Sequence, residues 1–379
     1  MIATVTINPS IDQHMVIDKL VKDDAIRVRE IRRFPGGKGI NVSRAVKELG
    51  GETVAFSVAG GCAGYMLKSL LTDQGIFFQA IEVPQETRIN VIVTDQSDKT
   101  QTRMSAEGPR MELKDVDELF KKILSCVPFP EWWVLGGSLP PGVPSDFYAR
   151  LITLLQGQGA KCILDADDEP LKLGIQSKPY LIKPNEYEME RLAGRSLTSE
   201  SSLVEAATEI VESGIEMVVV TLGKKGALVV TRELVCYATT PQVPVKSRVG
   251  AGDSFLAGFV TGLVRKSSLE ETLRFAMACG TAAIMNDGTA LCRSADVEKI
   301  LPQIKTREIK PVTKLRPKNQ ETKNKRDVVC GMSVDPGVSS FSVVFDGQDY
   351  RFCSLKCRES FQKNPRHFIE VETIKSNKG

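Results

Sequence analysis

Short apolar runs that alternate with amphipathic segments most constrain the fold of this 379-residue chain. Three of the runs, KCILDA, YLIKPN and EMVVVTLG, predict buried strands, and each ends in polar residues or glycine. Helical patterns separate them, so we predict a doubly wound α/β sheet. Ligands of such sheets gather beyond the carboxyl ends of the strands, where Asp165, Lys183–Asn185 and Thr221–Gly223 fall.

Two glycines and a carboxylate stand directly before one predicted helix, in the stretch VKSRVGAGDSFLAGFV, residues 245–260. Phe255, Leu256 and Phe259 recur at helical spacing, which leaves Gly250–Asp253 at the helix N-terminus. Unpaired N–H groups and partial positive charge make that end a natural anion site, and glycines let the backbone approach the anion closely. Asp253 could take a proton from an attacking group there, or it could simply cap the helix.

A second glycine cluster, FPGGKGINVSRAVKELGG, lies far away in the sequence and has the same organisation. Gly36, Gly37 and Gly39 precede a helix with one apolar face. Neither a Walker A pattern nor G-x-G-x-x-G can be threaded through it. The cluster offers close backbone approach to a polyhydroxylated ligand, and Asn41 can both donate and accept hydrogen bonds there.

Composition excludes several classes of protein. The chain is 42% hydrophobic, and it has neither an apolar run long enough to span a bilayer nor an export signal near its start. We therefore expect a cytoplasmic protein without membrane contact. Its nine cysteines form an odd set, which favours reduced thiols over a disulfide framework.

Charge divides the chain. Residues 305–326 carry nine Lys/Arg against two Glu, in a polar run with prolines that predicts a flexible linker between residues 1–304 and a module at 327–371. Contact with nucleic acid is the alternative for this run. A solvated spacer is favoured, and no nucleic-acid partner is expected, because no aromatic residue interrupts the charges.

Six motifs over residues 1–304 resemble the ribokinase-like (PfkB family) carbohydrate kinases in order and spacing: TINPSID, GGKGINVSRA, GSLPPGV, KPNEYE, VTLGKKGA and VGAGDSFLAGF. The resemblance implies a ribokinase-like doubly wound sheet with a small β-sheet lid, supplied by residues 10–35 and 85–105. GGSLPPGVP, VPVKSRVGAGDS and GTAAIMNDGTALC look like a minor bacterial type of 6-phosphofructokinase. GGKGINVS and TRINV are similar instead to 1-phosphofructokinases and tagatose-6-phosphate kinases.

The resemblance also implies roles for individual residues. Gly250, Ala251 and Gly252 would form an anion hole for the transferring phosphoryl group, and Asp253 would accept the proton of the attacking sugar hydroxyl. The sugar itself would be held by Asp12, Gly36, Gly37 and Asn41. The cations suited to grip the phosphate already on the substrate are Lys38, Arg88 and Arg103, although each could be an ordinary surface base.

On the nucleotide side, the resemblance implies that ATP approaches Lys183, Asn185, Thr221, Gly223 and Gly226, with Asn286 and Gly288 near the adenine. Glu188 resembles the acid that organises Mg²⁺, often through water. Ordinary loop chemistry between a strand and a helix is the alternative for these positions, above all for Gly226. Many relatives also use a monovalent cation such as K⁺, whose ligands the sequence does not locate.

The C-terminal module contains Cys330, Cys353 and Cys357 within a segment too short to build a sufficient core alone. A soft-metal site would suit it, and VCGM, YRFCSLKCRESF and NPRHF resemble the YHS domain. Reduced structural cysteines are the alternative. His367 is a weaker candidate for a further ligand.

Taken together, the residues and the resemblance predict an enzyme that uses ATP and Mg²⁺ to phosphorylate a ketohexose phosphate. Fructose 6-phosphate, converted to fructose 1,6-bisphosphate, is the leading substrate, and 1-phosphofructokinase or tagatose-6-phosphate kinase activity is the alternative. A homodimer through the lid is expected. The alternative of another class is a metal-sensing or metal-delivery protein built on a kinase scaffold.

Overall fold

A computed structural model describes residues 1–286, 288, 290–309, 327–334, 341–345 and 348–368. The chain divides into two compact units, residues 1–315 and 316–379. Within the described ranges, no helix has both the length and the hydrophobicity that a membrane crossing requires.

The N-terminal unit contains a large and a small β-sheet. Its described strands are β1 (Ile2–Thr6), β2 (Ser10–Ile17), β3 (Val28–Gly36), β4 (Thr53–Ala59), β5 (Phe77–Glu82), β6 (Arg88–Asp95), β7 (Gln101–Met104), β8 (Trp132–Gly136), β9 (Lys161–Asp165), β10 (Leu181–Ile182), β11 (Met217–Thr221), β12 (Ala227–Val230), β13 (Val235–Thr239) and β14 (Lys305–Ile309).

The large sheet has the strand order β14-β13-β12-β11-β10-β9-β8-β1-β4-β5. The seven strands β11, β10, β9, β8, β1, β4 and β5 are parallel, whereas β12, β13 and β14 are antiparallel additions at one edge. The chain first builds outward from β1 through β4 and β5, and then continues on the other side of β1 from β8. Strand order reverses between β1 and β8, and such a reversal opens a crevice for ligands.

Helices cover both faces of the large sheet. They are α1 (Lys38–Glu48), α2 (Gly61–Asp73), α3 (Leu113–Leu124), α4 (Phe147–Gln156), α5 (Asp168–Gln176), α6 (Glu186–Ala193), α7 (Glu200–Glu212), α8 (Ala251–Val264), α9 (Leu269–Ile284) and α10 (Ser294–Ile300). Successive residues of β8 point to opposite faces: Trp133 joins the core beneath α3, α4 and α7, and Trp132 joins the core beneath α1, α8 and α9. This arrangement confirms the predicted doubly wound α/β class.

The small sheet has the order β3-β2-β6-β7. Its strands fall within residues 10–35 and 85–105 apart from one residue at the end of β3, so the predicted small sheet is confirmed. β2 and β6 run parallel with Ser10 opposite Arg88 and Asp12 opposite Asn90. That register sets the polar groups at the start of both strands side by side.

The first five residues of the segment predicted as a linker form a strand instead. Lys305–Ile309 form β14, which pairs antiparallel with β13 from Lys305 opposite Thr239 to Ile309 opposite Val235. The predicted boundary at residue 304 is therefore too early, because the charged side chains of this segment lie on an edge strand, where solvent accommodates them. The rest of the predicted linker, residues 310–326, lies outside the described residues.

The C-terminal unit contains β15 (Phe341–Phe345), β16 (Gln348–Phe352) and α11 (Leu355–Lys363) in its described part. The two strands pair antiparallel, and Ser354 caps α11 by accepting a hydrogen bond from the Cys357 N–H. Tyr350, Phe352 and Phe361 are buried together and form a small aromatic core.

Candidate active site

The start of α8 has the backbone shape that its glycines predict. Gly250 is the N-cap residue with φ 80°, a left-handed conformation, and a Cβ there would lie 2.6 Å from the Leu291 side chain. Ala251 begins the helix, and Asp253 lies in its first turn. The free N–H groups of this turn and Asp253 therefore share one end of the helix.

The start of α1 also needs glycine, because its backbone has a positive φ and packs closely against a side chain. Gly37 is its N-cap residue with φ 113°, and a Cβ on Gly36 would lie 2.7 Å from the Asp12 carboxyl group. Asn41, one turn into α1, donates a hydrogen bond from Nδ2 to Asp253 Oδ2 at 2.8 Å. The two glycine clusters of the sequence thus meet in one cleft.

Asp253 is partly exposed in this cleft. Desolvation, reinforced by the negative charge of Asp165, raises its pKa to about 6, although the Asn41 hydrogen bond and the charges of Lys38 and Lys183 act in the opposite direction. A carboxylate whose pKa lies this close to neutrality can both hold and release a proton under physiological conditions.

Two lysines share the carboxylate of Asp165, which is 2% exposed at the end of β9. Lys38 Nζ lies 2.9 Å from Oδ1, and Lys183 Nζ lies 3.2 Å from Oδ2. Burial disfavours the charged form of Lys38, but the attraction of Asp165 outweighs it and raises the Lys38 pKa. For Asp165, the same two lysines outweigh the effect of burial and lower the pKa. Lys38 is thus turned toward Asp165, and its contact with a substrate phosphate stays a prediction.

The proposed sugar side is built around Asp12, which is 2% exposed. Its Oδ1 accepts hydrogen bonds from Ser10 Oγ and from Asn90 Nδ2, both at 2.8 Å. Arg88 donates to the backbone carbonyls of Asn8 and Ala106, each at 2.8 Å, and burial lowers its pKa. Its Nε also donates to the Pro9 carbonyl at 3.3 Å, so Arg88 joins the segment before β2 to the segment after β7, and its guanidinium keeps further N–H donors. Arg103 is exposed on β7.

The proposed nucleotide side begins at α6, whose first turn is closed by a capping box. Asn185 Oδ1 accepts from the Glu188 N–H at 2.9 Å, and Glu188 Oε2 accepts from the Asn185 N–H at 2.8 Å. Among the described residues, Glu188 Oε1 has no hydrogen-bond partner. The Glu188 charge also acts on Lys38, so this free oxygen belongs to the same cleft. A carboxylate oxygen of this kind fits Mg²⁺.

The remaining predicted nucleotide positions are loops and turns. Thr221 forms an isolated bridge with Asn185, and Gly223 opens the next turn with φ 56°. A Cβ on Gly226 would lie 1.9 Å from the Ala238 carbonyl oxygen, so this glycine is required by packing. The Asn286 amide donates to the Ala282 carbonyl at 3.0 Å. Gly288, with φ 65°, lies against His14 of the small sheet.

In the C-terminal unit, the three cysteines come together and a carboxylate joins them. Asp327, Cys330, Cys353 and Cys357 each place one potential ligand atom within 4.8 Å of the others. The sulfur of Cys353 lies 3.4 Å from that of Cys330 and 3.8 Å from that of Cys357. This group could hold a metal ion. His367 does not belong to it: its ring contacts Phe368 instead.

Each unit matches the model of a known protein family. The model of the pfkB family carbohydrate kinases matches residues 5–296. The chain belongs to this family. A YHS domain matches residues 326–371. As a member of the pfkB family, the chain is a sugar kinase of the ATP-dependent type, and the predicted ribokinase-like fold and YHS domain are confirmed.

The curated relatives of this pfkB protein include three kinds of sugar-phosphate kinase. It is 37% identical over 301 residues to the ATP-dependent 6-phosphofructokinase isozyme 2 of Escherichia coli, which covers 79% of this chain and 97% of that protein. It is 32% identical to the 1-phosphofructokinase of Bacillus subtilis, over 80% of this chain and 99% of that one. It is 31% identical to a tagatose-6-phosphate kinase of Staphylococcus epidermidis, over 82% and 100%.

Solved structures of this family agree with the fold. Phosphofructokinase-2 of Escherichia coli, solved in complex with substrates and products, superimposes with a TM-score of 0.77 at 36% identity, over 80% of this chain and 98% of that one. The same enzyme solved in complex with potassium gives a TM-score of 0.76 at 36% identity, with the same coverage.

Sequence analysis gave no specific role to two residues of this cleft. Asp165 was predicted only to lie where ligands gather, at the end of a strand, and in the structure it pairs with both lysines. Arg44 was not singled out, yet its guanidinium donates to Asn41 Oδ1 at 3.1 Å and to the Pro35 carbonyl at 3.0 Å. Burial lowers the Arg44 pKa to about 10. The signal available for Arg44 was its position three residues after Asn41 on one helix face.

Proposed function

We propose that this chain transfers the γ-phosphoryl group of ATP to fructose 6-phosphate and yields fructose 1,6-bisphosphate. The observation that carries the proposal is Asp253, a carboxylate with a pKa near 6 in the first turn of α8, beside unpaired helix N–H groups. The 37% identity to a 6-phosphofructokinase favours this sugar over its isomers.

In the proposed reaction, Asp253 accepts the proton of the attacking sugar hydroxyl. The hydroxyl oxygen forms a bond to the γ-phosphorus as the bond to the β-phosphate oxygen breaks, and ADP leaves with that electron pair. The N–H groups around Gly250–Gly252, with Lys38 and Lys183, stabilise the negative charge that moves through the transition state. Asp12 and the backbone of Gly36 and Gly37 orient the sugar.

Mg²⁺ fits the free Oε1 of Glu188, since oxygen is the ligand that this ion prefers. When bound, the ion neutralises charge on the nucleotide phosphates. Asn185 and Glu188 hold each other in place through the capping box, so one oxygen of the acid is fixed at the start of α6. Potassium, which the Escherichia coli enzyme binds in one of its structures, is proposed here as an additional cofactor.

The choice of sugar phosphate is proposed to rest on Arg88 and Arg103, which lie close enough for the Arg103 charge to affect Arg88. The test is a turnover assay of fructose 6-phosphate, fructose 1-phosphate and tagatose 6-phosphate with ATP and Mg²⁺. The highest kcat/KM is expected for fructose 6-phosphate. A higher value for either of the others would assign the chain to that activity instead.

A second proposed function belongs to the C-terminal unit, because three sulfurs and a carboxylate converge there. Thiolates select soft metal ions, so we propose a soft-metal site formed by Cys330, Cys353 and Cys357. Metal content of the purified chain tests it. Bound metal with no turnover of any of the three sugar phosphates would favour a metal-sensing or metal-delivery protein on a kinase scaffold.

A further inference from the structure

Asp165 joins three elements of the active-site cleft. It ends β9, Lys38 begins α1, and Lys183 follows β10. Each carboxylate oxygen of Asp165 faces a different ammonium group, at 2.9 Å and 3.2 Å. Both lysines are thereby fixed to one buried anion.

One of the two lysines lies beside the proposed anion hole. Lys183 Nζ lies 3.8 Å from where a Cβ on Gly252 would stand, so its charge is adjacent to the first turn of α8. A lysine ammonium on a flexible four-carbon stem is a compact point charge that must be held if it is to meet a transferring phosphoryl group in one geometry. Among the described residues, Asp165 is the group that holds both.

We propose that Asp165 is a positioning residue that aligns the ammonium groups of Lys38 and Lys183 with the phosphoryl group in transfer, and that it binds neither metal ion nor substrate. This inference rests on the kinase function proposed above. Each oxygen of Asp165 already faces one ammonium group, and the positive charge of the two lysines opposes the approach of a divalent cation.

Asp165 and its two lysines also shift the pKa of Asp253 in opposite directions. The negative charge of Asp165 raises the pKa of Asp253, whereas Lys38 and Lys183 lower it. The Glu188 carboxylate faces Lys38 from α6, and Asn41 faces Asp253 from α1. Removing Asp165 and removing Lys38 should therefore move the acidic limb of the activity profile in opposite directions.

The experiment compares the pH profiles of kcat for the wild-type chain, Asp165→Asn and Lys38→Met. We expect Asp165→Asn to lower kcat by about 10–100-fold, the range typical of lost orienting partners, and to shift the acidic limb to lower pH. Lys38→Met should shift that limb to higher pH. Asp168→Asn, an exposed carboxylate three residues away, is the matched control and should leave the profile unchanged.

A double variant guards against loss of folding, because Asp165→Asn leaves two cations without their anion. The double variant Lys38→Met with Asp165→Asn removes one charge of each sign. Its fold-loss in kcat should be smaller than the product of the fold-losses of the two single variants. Three results would each overturn the proposal. They are a double-variant loss in kcat equal to the product of the single losses, an acidic limb of Asp165→Asn at the same pH as in wild type, and recovery of Asp165→Asn activity by excess Mg²⁺. An inactive wild-type chain would refute the kinase function, whereas an active one with an unmoved limb refutes only the role of Asp165.

Discussion

Asn41 Nδ2 donates a hydrogen bond to Asp253 Oδ2 at 2.8 Å, across a sequence separation of 212 residues. Arg44 in turn donates to Asn41 Oδ1 at 3.1 Å, so the amide of Asn41 is held with its NH₂ group toward Asp253. One oxygen of Asp253 is thus anchored to α1. The other oxygen is the one that accepts the substrate proton in the mechanism proposed above.

Replacing Asp253 by Asn should abolish most turnover. A lost general base costs about 10²–10⁴ in rate, and the isosteric amide keeps the contact with Asn41. Steady-state kinetics should show this fall in kcat with little change in KM for the sugar phosphate. Asp73→Asn, on an exposed residue of α2, is the control and should behave as wild type. A kcat for Asp253→Asn within a few-fold of wild type would remove Asp253 from the mechanism.

Asp253→Asn should be more stable than the wild-type chain at neutral pH. The pKa of Asp253 is raised to about 6 by burial, so the folded state binds its proton more tightly than the unfolded state does. The contribution of this group to stability is complete below pH 4 and is lost as the pH rises through about 6. Thermal unfolding should give Asp253→Asn a Tm higher by about 2–4 °C at pH 8, and equal to wild type near pH 4. Equal Tm values at both pH values would contradict the raised pKa.

Replacing Arg88 or Arg103 by Ala should weaken binding of the substrate phosphate in both cases but lower thermal stability only for Arg88. Both should raise KM for the sugar phosphate more than KM for the unphosphorylated sugar, because guanidinium groups bind phosphate. Arg88→Ala should also lower the Tm, because Arg88 donates to the carbonyls of Asn8 and Ala106. Arg103→Ala, on an exposed side chain, should leave the Tm unchanged. Equal effects on both sugars would argue against phosphate recognition.

The small sheet should mediate a homodimer. Ile31 on its edge strand β3 is 51% exposed and Met104 on β7 is 53% exposed, so the sheet presents apolar side chains to solvent. Ile31→Glu should shift the protein from dimer to monomer in sedimentation velocity measurements. Leu154→Glu, which alters an exposed apolar residue of α4, is the control and should sediment like wild type. A wild-type chain that is monomeric at assay concentrations would refute the dimer.

Cys353→Ser should remove a soft metal from the full chain, since the Cys353 sulfur lies within 4 Å of the sulfurs of both Cys330 and Cys357. Elemental analysis after loading with Cu(I) or Zn²⁺ should show the loss, and Cys62→Ser, on an exposed cysteine of α2, should retain the metal. Removal of residues 327–379 should also remove the metal while kinase activity continues. A wild-type chain that binds neither metal would leave the three cysteines a structural role.

Much of the fold was predictable because its signals are local. Apolar runs that end in polar residues predicted β9, β10 and β11, and the parallel arrangement brought their carboxyl ends to one edge of the sheet. The two glycine clusters predicted the starts of α1 and α8, where the φ of 113° at Gly37 and of 80° at Gly250 favours glycine.

The details that sequence reasoning missed depend on side chains that are distant in sequence. Nothing local shows that Lys38 pairs with Asp165 across 127 residues. Asp327 was overlooked because it precedes the cysteines without a recognisable ligand spacing, although its carboxylate accepts a hydrogen bond from the Cys353 N–H at 2.8 Å. β14 was hidden by its charge, because an edge strand tolerates the lysines and arginines that also suit a linker.

Strand β14 has a practical consequence for anyone who separates the two units. A chain cut at residue 304 would leave β13 as a bare edge, with the N–H and C=O groups that now pair with Lys305–Ile309 open to other molecules. Such an edge invites intermolecular strand addition and precipitation during expression. A kinase fragment that ends beyond Ile309 keeps a charged strand over that edge, so we expect the five residues of β14 to lower its tendency to aggregate.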